Sequence, residues 1–497
     1  MKYKGIGVLA CAAILLVGAL NWELLLGGAE EERIHQHLSA PVKQECTKSH
    51  ASGELCTHLP LLCIDTGGQE IPGKGITDEN GKQLGYTTTP DGSDRITASL
   101  RVMDSETDYN HASDEPTVQS AIVLHARGNS SRYFEKSGYR IKLVDRDGNS
   151  NPQSLLGMDA HHDWVLHGPY LDKTLLRNYM LYNLSGEVMD YAPNVRFCEV
   201  EINGEYEGVY VLTEVITAGK DGARLSMSVN AKDNTYTGYL LKLDRESKTE
   251  ADHVNNLTAY TFRLDRDLKL EVEYPGPEKL NDTLKETITT DFSRFEKALY
   301  SYDFNNKTYG YQNDIDVDSF AAYFLINELA VNYDAGSYST YIYKDTSGKY
   351  KMCVWDFNNA CDNYQEKSLM TVQHFELQNK LWFVMLMKDE DFVQCVIDKY
   401  KALRGNVFSD AYLEEYIDGV IAYLGPAIER NNARWAASFR DDTLLTPADR
   451  NLHSYEEAVT QLKSFFSGRT AWLDDNIETL RQYCASSKIK KYTEVTD

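Results

Sequence analysis

The chain has 497 residues, 42% hydrophobic and 25% charged, with 12 Pro and 32 Gly, a globular profile that excludes a collagen-like or wholly disordered protein. Its 75 Asp and Glu outnumber its 51 Lys and Arg, giving a net charge of −24. No basic stripe offsets this excess, which argues against a nucleic-acid partner.

At the N-terminus, Lys2 and Lys4 precede an uncharged run from Gly5 to Trp22 that resumes at Leu24 after a single Glu23. Residues 1–28 therefore read as an export signal, either an uncleaved membrane anchor or a cleaved signal peptide. Such a protein would be exported, and held at the cell surface or secreted. Outside the cell the cysteines are able to oxidise, and Cys46 with Cys56 is the expected local pair. Without a CxxC spacing, a structural zinc site is not expected. Residues 29–57 are polar and aperiodic, as in a stalk.

From 58 to 215 the sequence predicts a β-rich lobe. Short runs such as LPLLCID, ITASLRVMD and SAIVLHA alternate with Gly, Asp and Asn turns, suggesting a mainly antiparallel sheet. One hairpin is expected over 121–144 around Arg127-Gly128-Asn129-Ser130-Ser131, and another over 195–215 around Asn203-Gly204, a type I′ turn signal. Between them Asp172 is placed to cap a helix running to about Met189. The stretch from Gly68 to Lys74 imitates a P-loop but has Gly75 where Ser or Thr would hold Mg²⁺. Residues 216–490 read as a second, α-rich lobe. Helices are expected near 291–300, 318–332, 381–403, 411–424, 427–437 and 454–483, and the overall class is α+β.

Chemistry concentrates between 318 and 364. An amphipathic helix leads into Asn332-Tyr333-Asp334, a hairpin pattern follows, and Trp355-Asp356-Phe357-Asn358 closes it. Helix, loop Asp, hairpin and a second Asp before Phe is the chain order in which protein kinases place a base and a metal ligand. Phosphoryl transfer needs one carboxylate to orient the attacking hydroxyl and another to hold the divalent cation. Asp334 suits the first role and Asp356 the second. Ser339 stands five residues after Asp334, where kinases carry a metal-binding Asn, and Ser337 and Asn332 are alternatives.

Upstream, the loop 127–131 offers backbone N–H groups and hydroxyls that could cover phosphates. In Tyr139-Arg140-Ile141-Lys142-Leu143, alternation puts Arg140 and Lys142 on one strand face, with Lys142 positioned like a phosphate-gripping lysine. Glu214 ends a strand that resembles the entry to an interlobe hinge, where adenine would bind. His161-His162-Asp163 is a weaker metal candidate, because adjacent histidines diverge on regular structure.

RGNSSRYFEKSGYRIKL, WVLHGPYLDKTLLRNYMLYNL, VEINGEYEGVYVLTEV, GYLLKLD, the Asn-Tyr-Asp loop and WDFNNA together resemble the CotH family of spore coat protein H-like kinases. The resemblance implies an atypical protein-kinase-like, two-lobed fold. It further implies use of ATP with Mg²⁺ or Mn²⁺ to phosphorylate Ser or Thr of secreted or surface proteins. By position it puts Lys142 on the phosphates, Asp334 at the catalytic position and Asp356 on the metal. Two departures stand out: Asn358 replaces the last Asp of the usual WDFD, and Ser339 replaces the usual Asn. They keep a second function class open, a weak or inactive pseudokinase acting as a surface or coat scaffold.

Overall fold

The computed structural model describes residues 33–43, 46–48, 51, 53–218, 225, 227, 236–245, 252–254, 268–366 and 371–485. The apolar run of residues 5–26, and with it the expected export signal or membrane anchor, lies outside them. Among the described residues no helix is long and apolar enough to cross a membrane. The chain divides into two compact units, residues 1–39 and 40–497. The first contributes a short helix, Gln36–Ser39, and everything below belongs to the second.

That unit is β-rich at first and helical later, as its sequence pattern indicates. Its strands are β1 (Leu61–Asp65), β2 (Gly75–Thr77), β3 (Gln83–Tyr86), β4 (Ile96–Met103), β5 (Val118–Arg127), β6 (Gly138–Val144), β7 (Gln153–Leu155), β8 (Met158–His161), β9 (Asp163–His167), β10 (Val195–Ile202), β11 (Glu205–Glu214), β12 (Tyr239–Arg245), β13 (Leu268–Tyr274), β14 (Thr340–Lys344) and β15 (Tyr350–Cys353). Seven of them close into a barrel in the order β1-β10-β11-β9-β6-β5-β4. Its seams are antiparallel, with one exception: β1 runs parallel to β10, Leu61 facing Glu199. This seam closes the sheet, which the sequence indicates only as mainly antiparallel. Closure follows from the alternation of apolar residues, which turns Leu100, Ile122, Ile141, Trp164, Val200 and Leu212 into one interior cluster.

Both expected hairpins form. Arg127 pairs with Gly138 at the mouth of the β5–β6 hairpin. Asn203 (φ 55°) and Gly204 (φ 79°) both take the left-handed conformation that a type I′ turn requires. β2 and β3 form a separate hairpin, so no helix follows Lys74 and the P-loop imitation ends there.

The helix expected from Asp172 begins later, at Arg177, and runs to Val188. Asp172 instead shapes the preceding turn: its carboxylate accepts from the N–H groups of Thr174 (3.1 Å) and Arg177 (2.9 Å). This helix packs against β10 and the helix Val317–Ala330. It is buried almost all round, from Arg177 to Ser185. Val317–Ala330 is buried without interruption from Ser319 to Ala330, so it is a core helix rather than the amphipathic one expected.

A second sheet, β13-β12-β14-β15, is antiparallel throughout. The remaining helices include Asp282–Leu299, Glu390–Arg404, Asp410–Leu424, Pro426–Arg434 and Tyr455–Asn476. The single helix expected over 381–403 is divided, because Asp389 caps Glu390–Arg404 by accepting from Asp391 N–H. A second, larger hydrophobic core joins these helices to the second sheet and to the outer faces of β10 and β11.

Candidate functional site

A cleft of about 850 Å³ opens between the β5–β6 loop, the second sheet and the loops that carry Asp334 and Asp356. Val331, at φ 44°, ends the core helix in the left-handed region and reverses the chain. Asn332 then joins the two acidic loops, donating from Nδ2 to Asn327 Oδ1 (3.0 Å) and to the Asp356 carbonyl (3.3 Å). Asp356 itself has φ 61°, Ser339 48° and Asp362 57°. Non-glycine residues held in this region store backbone strain, which concentrates at functional sites.

Asp334 accepts from Asn359 Nδ2 at 2.7 Å. Burial, reinforced by the charge of Asp356, pushes its carboxyl up to about 6, while Asn359, Arg245 and Lys380 act in the opposite direction. Asp356 is also raised by burial, against the pull of Arg127. Its N–H donates to Tyr182 Oη (2.9 Å), and its Oδ1 accepts from Asn358 N–H (3.1 Å). Two carboxylates that repel one another in a desolvated site form a donor set suited to a hard divalent cation.

The opposite wall is cationic. Arg127 lies over the Trp355 ring, 5.6 Å from its centroid. On β6, Arg140 and Lys142 share the cleft-facing side, as alternation predicts, and both address Asp163 of β9. Arg140 grips it with two bonds of 2.5 Å, whereas Lys142 Nζ lies 3.9 Å away. Burial alone would raise Asp163, but the Arg140 bond and charge hold it below the usual carboxylate range. Burial and the neighbouring Arg140, Arg95 and Arg132 bring His125 down to about 4. His125 Nδ1 and Arg132 Nε are buried without a hydrogen-bond partner. A cationic wall with unfilled polar positions fits a phosphate-bearing ligand.

The loop between these walls is tightly determined. Gly128 has φ 118°, and a Cβ there would fall 1.9 Å from Ser131 Oγ. Ser130 and Ser131 open a 3₁₀ turn, Ser130–Tyr133. With its carboxamide turned to suit its neighbours, Asn129 accepts from Arg245 Nη1 (2.9 Å) and Nε (3.2 Å). Arg245 in turn stacks 3.9 Å from the Tyr338 ring centroid, linking the loop to the second sheet.

Arg127, Gly128, Asn129, Ser130, Ser131, Lys142, Asp334, Ser339, Asp356 and Asn358 thus converge on one cleft. Glu214 does not join them. Its carboxylate accepts from Asn194 N–H (2.9 Å) and its own N–H donates to the Asn194 carbonyl (3.0 Å), securing the end of β11. Val215 and Ile216, the next two residues, reach the cleft instead. Asn358 lines the cleft, but its side-chain oxygen accepts from Asn178 Nδ2 (2.7 Å). His161 and His162 do not diverge: their rings stack at 4.6 Å where β8 turns into β9.

Sequence reasoning gave no site role to Asn359 or Arg140; it named Asp163 only as part of a weaker His-His-Asp metal candidate and Asp244 only as a fallback for the base. Asp244, the penultimate residue of β12, pairs with Lys242 at 3.1 Å and raises Asp356 by its charge. Its signal was present in GYLLKLD, where Lys242 and Asp244 alternate onto one strand face. Asn359 carries no comparable local signal, and nothing near Asp163 announces its pairing with Arg140.

The CotH kinase protein family matches residues 124–473, a span that contains the whole Arg127-to-Asn359 constellation. Inner spore coat protein H of Bacillus subtilis (strain 168) is 19% identical over 377 residues, covering 72% of this chain and 88% of that protein.

Proposed function

Because the chain belongs to the CotH family, we propose that it is an exported kinase transferring the γ-phosphate of ATP to Ser or Thr hydroxyls of secreted or surface proteins. The fold this reading requires is an atypical protein-kinase-like one, with barrel and helical lobes on either side of the cleft. In this role Asp334 orients the acceptor hydroxyl and takes its proton. At about 6 it is largely ionised at neutral pH yet basic enough to accept. Asp356 would hold Mg²⁺ or Mn²⁺, with Asn358 and Ser339 beside it. Such an ion neutralises phosphate charge during transfer. Arg127, Arg140 and Lys142 would bind phosphate oxygens, and the Gly128 loop would cover them. The name of the Bacillus relative and the apolar segment of residues 5–26 support an exported, coat- or surface-associated location.

The observation that carries this reading is the meeting of Asp334 and Asp356, both raised by burial, opposite a cationic wall in one cleft. The experiment is incubation of the purified chain with labelled ATP, Mg²⁺ or Mn²⁺ and an added protein acceptor, alongside Asp356→Ala. The substitution is expected to abolish both phosphate transfer and metal-dependent thermal stabilisation by ATP. Equal turnover by the two proteins would overturn the assignment.

Asn358 favours a second reading. Its side-chain oxygen faces Asn178 at a position where the family pattern has a carboxylate, so the cleft could retain nucleotide without transferring phosphate. A parent protein that binds ATP but never transfers phosphate with either metal would identify a pseudokinase scaffold.

A further inference from the structure

Away from the cleft, Cys46, Cys56 and His111 bring their ligand atoms within 4.8 Å of one another, and among the described residues this is the only such group of three or more. The backbone builds the site. Thr57 and Asn110 pair as an antiparallel bridge, with N–H···O bonds of 3.1 and 2.7 Å, which sets Cys56 opposite His111. Cys46 arrives from the preceding segment, and its Sγ lies 3.5 Å from His111 Nε2. Both cysteines are free thiols.

We propose that Cys46, Cys56 and His111 bind a zinc ion. Three geometric facts favour this over a disulfide. First, Zn–S and Zn–N bonds of about 2.3 and 2.1 Å at a tetrahedral angle hold N and S about 3.6 Å apart, close to the observed 3.5 Å. Second, His111 Nδ1 lies 3.2 Å from Asp114 Oδ2. That bond puts the ring proton on Nδ1 and turns the Nε2 lone pair toward the sulfur, as in a carboxylate–histidine–zinc arrangement. Third, Asp114 is itself fixed, accepting from His111 N–H (3.0 Å) and from Lys48 Nζ (3.3 Å). A Cys46–Cys56 disulfide would need neither a buried imidazole nor its oriented carboxylate, and His111 is only 1% exposed. Three protein ligands leave one tetrahedral position to solvent. Binding would fasten the segment around Cys46 to the bridge beside the barrel.

The sequence offers no CxxC spacing, so the site depends on a strand bridge joining residues more than fifty positions apart. Its ligands also differ in kind from the oxygen donors of the cleft, and this lets cobalt distinguish the two. The full chain, purified anaerobically without chelator, is expected to carry one zinc and to protect two thiols from modification until a chelator is added. Loading with Co²⁺ should give a thiolate-to-metal charge-transfer band, which the carboxylates and amides of the cleft do not produce. His111→Ala and Cys56→Ser should lose the metal, while Asp114→Asn should retain the stoichiometry with affinity reduced roughly 10–100-fold. If the variants fail to fold, the parent's cobalt spectrum decides alone, and absence of the charge-transfer band overturns the proposal. So does a Cys46–Cys56 disulfide found by peptide mapping of the metal-free parent, or zinc content that the folded variants leave unchanged.

Discussion

Asn359 donates from Nδ2 to Asp334 Oδ2 at 2.7 Å, so the segment that carries Asp356 also positions the carboxylate assigned to the acceptor proton. This bond favours the ionised form of Asp334 and opposes burial and Asp356, the two influences that raise it to about 6. Asn359→Ala should therefore raise Asp334 further. The acid limb of the phosphate-transfer profile should move to higher pH by up to about one unit, with activity recovering in alkaline buffer. A uniform loss at every pH would show that Asn359 acts on folding or binding instead.

Asp334 also predicts a pH-dependent stability. Its folded-state value of about 6 exceeds the ordinary carboxylate value of 3.8, so between these values the folded state binds more protons than the unfolded state. Stability then falls as pH rises through this window, and the penalty is fully present above about pH 6. Asp334→Asn removes the ionisation. Without nucleotide or metal, the variant should be more stable than the parent at pH 7.5, by up to about 3 kcal/mol, with little or no gain near pH 3.5. Phosphate transfer should fall at least ~100-fold, the low end of general-base contributions. Denaturant titrations at the two pH values, compared with turnover, separate stability from catalysis.

The helical core contains an ion pair with no exposed surface, Glu328 with Arg469 at 2.7 Å. Glu328 also accepts from the N–H groups of Glu376 (2.9 Å) and Leu377 (2.6 Å), and Arg469 donates to the carbonyls of Val372 and His374, both at 2.6 Å. The network joins Val317–Ala330, which leads into the Asp334 loop, to Tyr455–Asn476. Removing one partner strands a buried charge, so Arg469→Met should destabilise the protein by about 3–5 kcal/mol. Adding Glu328→Gln should restore part of that loss, because it removes the stranded charge. Urea midpoints of the single and double variants provide the test, and strict additivity would show that the two residues are not coupled.

Features specified by adjacent residues could be read from the sequence. Asn203-Gly204 gives its hairpin because both residues tolerate positive φ, and the alternation around Ile141 gives the face that presents Arg140 and Lys142. The order of Asp334, hairpin and Asp356 likewise survives into the cleft. The β1–β10 seam was not legible, since it pairs Leu61 with Glu199 and leaves no trace in either neighbourhood. The all-round burial of Val317–Ala330 depends on what surrounds the helix, so its pattern read as amphipathic. Asp163 and Asn359 acquire their roles only when the fold brings them to Arg140 and Asp334. Glu214 illustrates the converse: its position at the end of a strand was correct, but its side chain turns to Asn194.

Asn358 offers the sharpest test of the metal site proposed for the cleft. Its Oδ1 accepts from Asn178 Nδ2 at 2.7 Å, and Asn178 Oδ1 accepts from Phe357 N–H at 2.8 Å, so the residue is anchored to the helix Arg177–Val188. A carboxylate preserves that acceptor, and Asn358→Asp should therefore fold. The new charge adds a hard oxygen ligand beside Asp356, for which a divalent cation has greater affinity than for an amide. The Mg²⁺ or Mn²⁺ concentration giving half-maximal transfer is expected to fall by about tenfold, equivalent to about 1.4 kcal/mol. In metal-free buffer the same substitution should lower thermal stability, because a third carboxylate joins two that already repel each other. Adding metal should reverse that loss. An unchanged metal titration, with the parent's stability in both buffers, would show that residue 358 lies outside the coordination sphere and serves only to hold Asn178.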